Sequence, residues 1–470
     1  MTFSHRFDPT VLREYDIRGI VDETLHPADA YAIGRAFGSI VAAEGGRSVA
    51  VGYDGRLSSP GLEARLVEGL RDSGCEVLRI GRGPTPMLYF ASTVEATDGA
   101  VMVTGSHNPP DYNGFKFMLH RKPFFGPQIQ RIGAVAGGGE AGAVQAPGLV
   151  RDLDVTGAYV ARLLQDWDGG ARGLHVVWDN GNGAAGEVLQ RLVQSLPGRH
   201  EVLFGDIDGR FPNHHPDPTV PRNLTDLIAA VRARGADLGI AFDGDADRIG
   251  VVDDTGAILF ADQMLVLMAR DVLRAHPGAI VIADVKTSQV LFDEVARAGG
   301  RGFMWKTGHS LIKAKMAEIG APLGGEMSGH IFFADHWYGF DDALYAAVRL
   351  LGILARTGGP LSAARLALPQ PLNTPELRFP CDEARKFAVM RDVAARLQQA
   401  GASVTDIDGV RVQTADGWWL LRASNTQAVL VARAEADSAA GLERLKAALV
   451  AQLAASGLGA PDFSGDAPGH

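Results

Sequence analysis

What most constrains this chain is one strand–turn–helix pattern written three times. Residues 49–53 form a short apolar run, Asp54-Gly55-Arg56 turns the chain, and Leu62, Leu66 and Leu70 recur at helical spacing. Ser59 is the expected N-cap, and Pro60 suits the first helical position. Gly74 stops the helix and 75–80 returns as a strand, a βαβ unit that requires a parallel sheet. The pattern recurs as strand 175–179, polar turn 180–183 and helix 184–193. It recurs again as strand 279–284, loop 286–288 and helix 289–298. The blocks lie roughly a hundred residues apart, the usual size of a domain. The spacing predicts three similar α/β domains in series.

Turn-rich stretches divide these blocks. The segment 137–148 is small and glycine-rich and reads as a loop ahead of a helix over 155–165. Asp253-Asp254-Thr255-Gly256 reads as a hairpin turn near a second boundary. The segment 368–375 carries three prolines and cannot continue a helix, so it is the expected linker. Beyond it the pattern changes to a helix over 383–399, short strands over 409–413, 418–422 and 428–434, and a helix over 438–453. This is expected to be a smaller α+β domain with a frayed tail over 456–470. The predicted domains are 1–151, 152–256, 257–368 and 369–470.

At 470 residues the chain is long enough for about three domains of ~150 residues, and 46% hydrophobic with 21% charged residues excludes disorder over most of it. Glycine, 58 residues, stands at about 12% against a usual ~7%, which points to many tight turns or close approaches to a ligand. The net charge of −10 argues against a nucleic-acid partner and an anionic membrane surface. An anionic small molecule remains accessible where local cations or backbone N–H groups override the average. The two cysteines, Cys75 and Cys381, build neither a disulfide framework nor a zinc spacing. No apolar run reaches ~18 residues and the N-terminus lacks a secretory apolar region, so a cytoplasmic protein is expected.

Four polar, glycine-flanked segments carry the candidate chemistry, and each is expected at a strand end, where open α/β sheets bind ligands. Thr104-Gly105-Ser106-His107-Asn108-Pro109 frees a serine hydroxyl that can act as a nucleophile if activated or already modified, with a turn-capping serine as the rival reading. It is not a G-x-S-x-G elbow, because Asn108 replaces the last glycine. Asp243-Gly244-Asp245-Ala246-Asp247-Arg248 sets three carboxylates at alternate positions, the pattern of a hard-cation site. An EF-hand is excluded by Arg248 at the glycine position, Asp254 at the last position and flanking strands. Glu326-Met327-Ser328-Gly329-His330 mixes donors and acceptors that suit a polyol, with Lys286, Lys306 and His309 upstream. Arg422-Ala423-Ser424-Asn425-Thr426 supplies donors for a phosphate cradle, a weak signal alone.

TGSHNP, DGDADR, GEMSGH and RASNT, in this order, resemble the α-D-phosphohexomutase superfamily, nearest its bacterial phosphomannomutase/phosphoglucomutase branch. The resemblance runs from Arg13 to Thr426. It implies a heart-shaped molecule of three related α/β domains with mixed sheets and a fourth, smaller α+β domain, with the four loops meeting in a central cleft. It implies that Ser106 is a phosphoserine and, with Asp243, Asp245 and Asp247, a Mg²⁺ ligand. Glu326 and Ser328 match sugar-hydroxyl contacts, and Arg422, Ser424, Asn425 and Thr426 a distal phosphate clamp. Tyr15, Arg18, His107, Lys116, Arg248, Lys286, Gly308, His309 and His330 match further cleft residues. The implied reaction moves a phosphoryl group between O1 and O6 of a hexose phosphate through a 1,6-bisphosphate, which also serves as activator. Lys116 and His330 are the candidate general acid and base. A sugar phosphatase, a non-catalytic sugar-phosphate sensor and a glucosamine-phosphate mutase are the rivals, and Met327 fits the glucose/mannose enzymes better than the last. The expected partners are sugar phosphates alone, with the chain a monomer or weak homo-oligomer.

Overall fold

The computed structural model describes residues 4–138, 146–425 and 427–463, so part of the 137–148 loop, the tail beyond 463 and Thr426 lie outside the described residues. The described residues form four sheets. In the first, Ser48–Tyr53 runs parallel to Glu76–Arg82 and Gly99–Val103, and Tyr112–Leu119 returns antiparallel to Gly99–Val103. In the second, Leu238–Phe242 is parallel to Leu174–Asp179 and antiparallel to Ile249–Asp253. In the third, Leu323–Gly325 is parallel to Ile280–Asp284 and antiparallel to Ile331–Phe333. The last sheet is antiparallel throughout, centred on Gly417–Ala423 and Val429–Ala436.

The three mixed sheets share one topological device. A parallel strand ends, a short polar loop turns the chain, and the next strand returns antiparallel beside it. That loop holds Ser106 in the first sheet, the three aspartates in the second and Glu326 to His330 in the third. The repeated βαβ pattern therefore delivers each chemical loop to an equivalent strand end.

One apolar cluster spans the first three units and includes Tyr89, Trp178, Phe242, Leu265 and Leu344, all buried. The last unit has its own cluster, with Val393, Trp419, Leu445, Leu449 and Leu453. Val285, Trp418 and Leu420 form a small patch between the third and last units. Fully burying one such leucine contributes about 1.5–3 kcal/mol, so the first three units are fastened together far more strongly than the last is fastened to them.

Three local expectations change. The first repeat's helix is Ser59–Asp72, one residue early, with Ser58 at the cap position and Pro60 inside the first turn. Ser59 does not cap it, because its hydroxyl donates instead to the buried carboxylate of Asp54 at 2.5 Å. The proline-rich segment contains no helix, but Leu372–Asn373 is a strand paired with Glu435 and Ala436, so the segment is stitched to the last sheet. The described part of the tail is not frayed: Leu458 and Phe463 pack against the last core.

Candidate active site

The serine loop is shaped before any chemistry is considered. Ser106 is 2% exposed and adopts φ +49°, a left-handed conformation uncommon outside glycine. Its backbone N–H donates to Thr104 Oγ1 at 2.8 Å, and Thr104 Oγ1 donates to Asp54 Oδ2 at 2.8 Å. Arg56 donates to the carbonyls of Ser106 at 2.8 Å and Asn108 at 2.6 Å, and Arg18 to Gly105 O at 3.0 Å and Asn108 Oδ1 at 2.6 Å. Two buried guanidinium groups thus occupy the loop's carbonyls and hold it against its backbone strain. Sequence reading took Arg56 only as part of a turn; its 1% exposure shows a scaffold.

The aspartate loop packs directly on the serine loop. A Cβ at Gly244 would lie 2.3 Å from Ser106 O, so only glycine allows this approach. Ser106 Oγ donates to Asp243 Oδ2 at 2.9 Å and lies 3.3 Å from His107 Nδ1. One carboxylate oxygen from each of Asp243, Asp245 and Asp247 lies within 4.8 Å of the others, and all three residues are at most 1% exposed. Burial, with Asp247 and Asp245 alongside, pushes the Asp243 carboxyl well above its ordinary range. Burial also opposes charge on Asp247, but Lys116 and His330 hold it well below that range. Lys116 Nζ sits 2.7 Å from Asp245 Oδ2 and 2.5 Å from Asp247 Oδ2, and Thr85 donates to Asp245. Asp245 Oδ1 is buried without a hydrogen bond. An all-oxygen set of three carboxylates with an orphaned oxygen is what a divalent hard cation requires, so these residues fit a Mg²⁺-type ion.

The third loop continues the network. His330 Nε2 lies 3.2 Å from Asp247 Oδ1 and its Nδ1 3.1 Å from Glu326 Oε2 and 3.0 Å from Ser328 Oγ. Burial would lower its imidazole, but the Asp247 charge prevails and lifts it to about 9. Burial likewise disfavours the charged Lys116, but Asp245 and Asp247 outweigh it and hold its ammonium well above the ordinary value. Both expected acid–base groups therefore carry a proton in this arrangement. Arg248 Nε reaches His330 Nε2 at 3.4 Å, and His309 stacks on His330 with centroids 5.2 Å apart. Asp341 lies 3.3 Å from His309 Nδ1 and accepts from Lys313 at 2.7 Å.

The last loop closes the ring. Gly308 N donates to Glu326 Oε1 at 2.6 Å, and at φ +135° any Cβ there would lie 2.6 Å from the Tyr15 ring. Tyr15 Oη donates to Thr307 O at 2.9 Å and accepts from Asn425 Nδ2 at 2.7 Å, joining the first, third and last units. Arg422 Nε donates to Asp408 Oδ2 at 3.0 Å, and Thr307 N donates to the same oxygen at 3.0 Å. Lys286 is held by Glu376 at 2.9 Å. Ser424 Oγ accepts from Gln427 N at 3.2 Å, whereas Thr426 is outside the described residues. Ser106, His107, Lys116, Arg248, Glu326, Ser328 and His330 thus form one connected cluster, linked through Gly308 and Tyr15 to Asn425. Lys286 and Arg422 are each engaged by a carboxylate of the last unit. Asp408, Glu376 and Asp341 were missed from sequence, where each is an ordinary acidic loop residue.

Four family models, described as phosphoglucomutase/phosphomannomutase domains I, II, III and C-terminal, match residues 9–137, 158–256, 260–372 and 376–452. The chain is 47% identical over 444 residues to a phosphomannomutase/phosphoglucomutase of Pseudomonas putida, covering 94% of this chain and 95% of that one. It is 46% identical over 438 residues to a phosphoglucomutase of Neisseria gonorrhoeae, covering 93% and 95%. A crystal structure of a phosphoglucomutase/phosphomannomutase family protein from Burkholderia thailandensis superposes with a TM-score of 0.90 at 45% identity, covering 97% of this chain and 99% of that one. With its four loops meeting as described and its relatives matching end to end, the chain belongs to the phosphoglucomutase/phosphomannomutase family.

Proposed function

We propose that the protein reversibly interconverts hexose 1-phosphates and hexose 6-phosphates, with glucose and mannose as the sugars, through phosphorylated Ser106 and a 1,6-bisphosphate intermediate. The observation that carries this is the Ser106 hydroxyl, 2.9 Å from Asp243 within a buried three-aspartate loop. The units 1–151, 152–256, 257–368 and 369–470 each contribute one loop to the cleft. Asp243, Asp245 and Asp247, with an oxygen on Ser106, would hold Mg²⁺, which when bound supplies positive charge beside the phosphoryl group.

This chain's own residues do the rest. Arg56 and Arg18 fix the serine loop so that Oγ faces the cleft. Lys116 and His330 are the proton-bearing groups beside the transfer site, placed to exchange a proton with the sugar oxygen that loses or gains the phosphoryl group. In the forward step the phosphoryl–Oγ bond breaks and a bond to the free sugar hydroxyl forms, whose proton goes to whichever of Lys116 and His330 has first released its own proton to solvent. After the bisphosphate reverses, its other phosphoryl returns to Oγ. Glu326 and Ser328 grip sugar hydroxyls that glucose and mannose share. Arg422, with Ser424, Asn425 and Thr426, holds whichever phosphate faces away from Ser106. The bond between Asn425 and Tyr15 ties the last loop to the first unit, and a cleft closed in this way would keep water from the phosphoserine, which disfavours the phosphatase reading.

A coupled assay offering glucose, mannose and glucosamine 1-phosphates side by side, with inorganic phosphate release monitored, tests this. Turnover of the first two without phosphate release is expected. Phosphate release as the main product, or turnover of glucosamine 1-phosphate alone, overturns it.

A further inference from the structure

A second cluster of ligand side chains lies at the far end of the strand that begins just after His330. His276 caps the C-terminal end of the helix Ala261–Ala275, its N–H bonded to Val272 O at 2.9 Å. Asp335 and His336 follow the strand Ile331–Phe333. One ligand atom from each of His276, Asp335 and His336 lies within 4.8 Å of the other two. The imidazole rings face each other with centroids 6.5 Å apart and planes tilted by 49°.

Several features separate this cluster from a chance surface pair. Asp335 is fixed by Arg349, which donates to Oδ1 at 3.0 Å and Oδ2 at 2.9 Å. Arg349 is itself seated 4.5 Å over Phe333. A carboxylate has about four lone-pair directions, so this fork leaves two free, and an outer donor that orients a ligating carboxylate is a regular part of metal sites. The His336 carbonyl accepts from Arg162, which fixes that backbone. Neither imidazole makes a hydrogen bond or ion pair with another described residue, so both present free nitrogens. The adjoining groove, about 490 Å³, is lined by Asp166, Asp168, Asp271 and Asp335, each paired with one or more of Arg162, Arg274, Arg349 and Arg356. The negative potential at the site comes from the helix C-terminus at His276.

We propose that His276, Asp335 and His336 form a site for a divalent first-row transition ion of the Zn²⁺ class, distinct from the aspartate loop. Two imidazoles and one carboxylate match the ligand preference of Zn²⁺ and disfavour Mg²⁺, which takes oxygen ligands. With bonds near 2.0–2.2 Å, tetrahedral ligand atoms sit about 3.3 Å apart. The two exposed histidines close that gap by side-chain rotation onto the fixed Asp335. Groove water fills the fourth position. Bound metal would clip the end of the helix Ala261–Ala275 to the segment leaving Ile331–Phe333.

The test titrates full-length metal-free protein with Zn²⁺ by calorimetry while excess Mg²⁺ occupies the aspartate loop, and repeats it with Co²⁺ as an optical probe. One Zn²⁺ per chain is expected despite the Mg²⁺, with the visible bands of nitrogen-ligated, four-coordinate Co²⁺. His276→Ala and His336→Ala, both at exposed positions, should each weaken Zn²⁺ binding at least tenfold and abolish the Zn²⁺-dependent rise in Tm. Their mutase turnover in Mg²⁺ should stay unchanged. Wild-type protein that takes no Zn²⁺ in excess Mg²⁺, or a His276→Ala/His336→Ala double variant that binds it undiminished, overturns the site.

Discussion

Lys116 is the cation that the aspartate loop relies on, and Lys116→Met isolates that dependence. Its ammonium sits 2.7 Å from Asp245 and 2.5 Å from Asp247, and all three side chains are at most 6% exposed. Methionine keeps the length and the apolar stem but removes the charge, leaving carboxylates buried with one fewer counter-charge. Removing one member of a buried pair costs about 3–5 kcal/mol, because the remaining charge is neither solvated nor neutralised. A divalent cation in the same loop should offset that loss: at a thousandfold excess over its Kd, a ligand bound only by the folded state contributes about 4 kcal/mol. The variant is therefore expected to lose about 3–5 kcal/mol in chelator and to recover most of it in Mg²⁺. Mg²⁺ should also bind at least about tenfold more tightly than in wild type, since a competing cation has gone; tenfold corresponds to only about 1.4 kcal/mol. Turnover should fall steeply in both conditions. Urea unfolding followed by tryptophan fluorescence, with and without chelator, measures the stabilities, and calorimetry measures the affinity. A chelator-treated variant that unfolds at the wild-type midpoint would refute the assignment of Lys116 as the neutralising group. A destabilised variant that Mg²⁺ fails to rescue would refute the loop as a cation site.

Arg422→Ala should raise KM for hexose 1-phosphate by about 2–3 kcal/mol in binding terms and increase release of the bisphosphate, while Ser106 remains phosphorylated; steady-state kinetics with trapping of the intermediate reads both, and unchanged KM and release would make the last unit only a lid. Gly308→Ala places a Cβ 2.6 Å from the Tyr15 ring at φ +135°, so it should displace Tyr15 and cut kcat/KM by at least about tenfold; wild-type kinetics would show that this contact does not organise the cleft. Burial raises the Asp342 carboxyl to about 7, above the usual range near 3.9 for an unfolded chain, so the stability this implies is present at low pH and is lost as pH rises through 7. Asp342→Asn should flatten that fall, on the order of 3–4 kcal/mol between pH 4 and 8, in denaturation curves taken across the range, and an unaltered slope would refute it.

The readable parts of this molecule were those whose cause is local. Leu62, Leu66 and Leu70 announce their helix within nine residues, and all three are buried as the spacing requires. Asp243, Asp245 and Asp247 announce a cation because ligands two residues apart in a tight loop necessarily converge. Lys116 is different: it sits between Phe115 and Phe117 in the buried strand Tyr112–Leu119, and only resemblance singled it out. Ser59 reads as a helix cap until Asp54, five residues earlier, claims its hydroxyl. Arg56 reads as a turn residue because its carbonyl partners lie some fifty residues downstream.

The carboxylates that sequence reading passed over explain how so acidic a chain can accept an anion. Four of the cations expected in the cleft are already partnered: Arg18 by Asp16, Lys116 by Asp245 and Asp247, Lys286 by Glu376, and Arg422 by Asp408. Unpartnered, these buried cations would carry a large desolvation cost in the free protein. Glu376 and Asp408 come from the last unit, whereas Lys286 and the Thr307 N–H that shares Asp408 come from the third. The pairs therefore hold the last unit against the third and aim the cations into the cleft. On the proposed reading an arriving phosphate competes with Glu376 and Asp408 for the same donors, so binding is coupled to the position of the last unit. Because the net charge of −10 is spread over partners of this kind, the overall sign of the protein says little about the charge its cleft accepts.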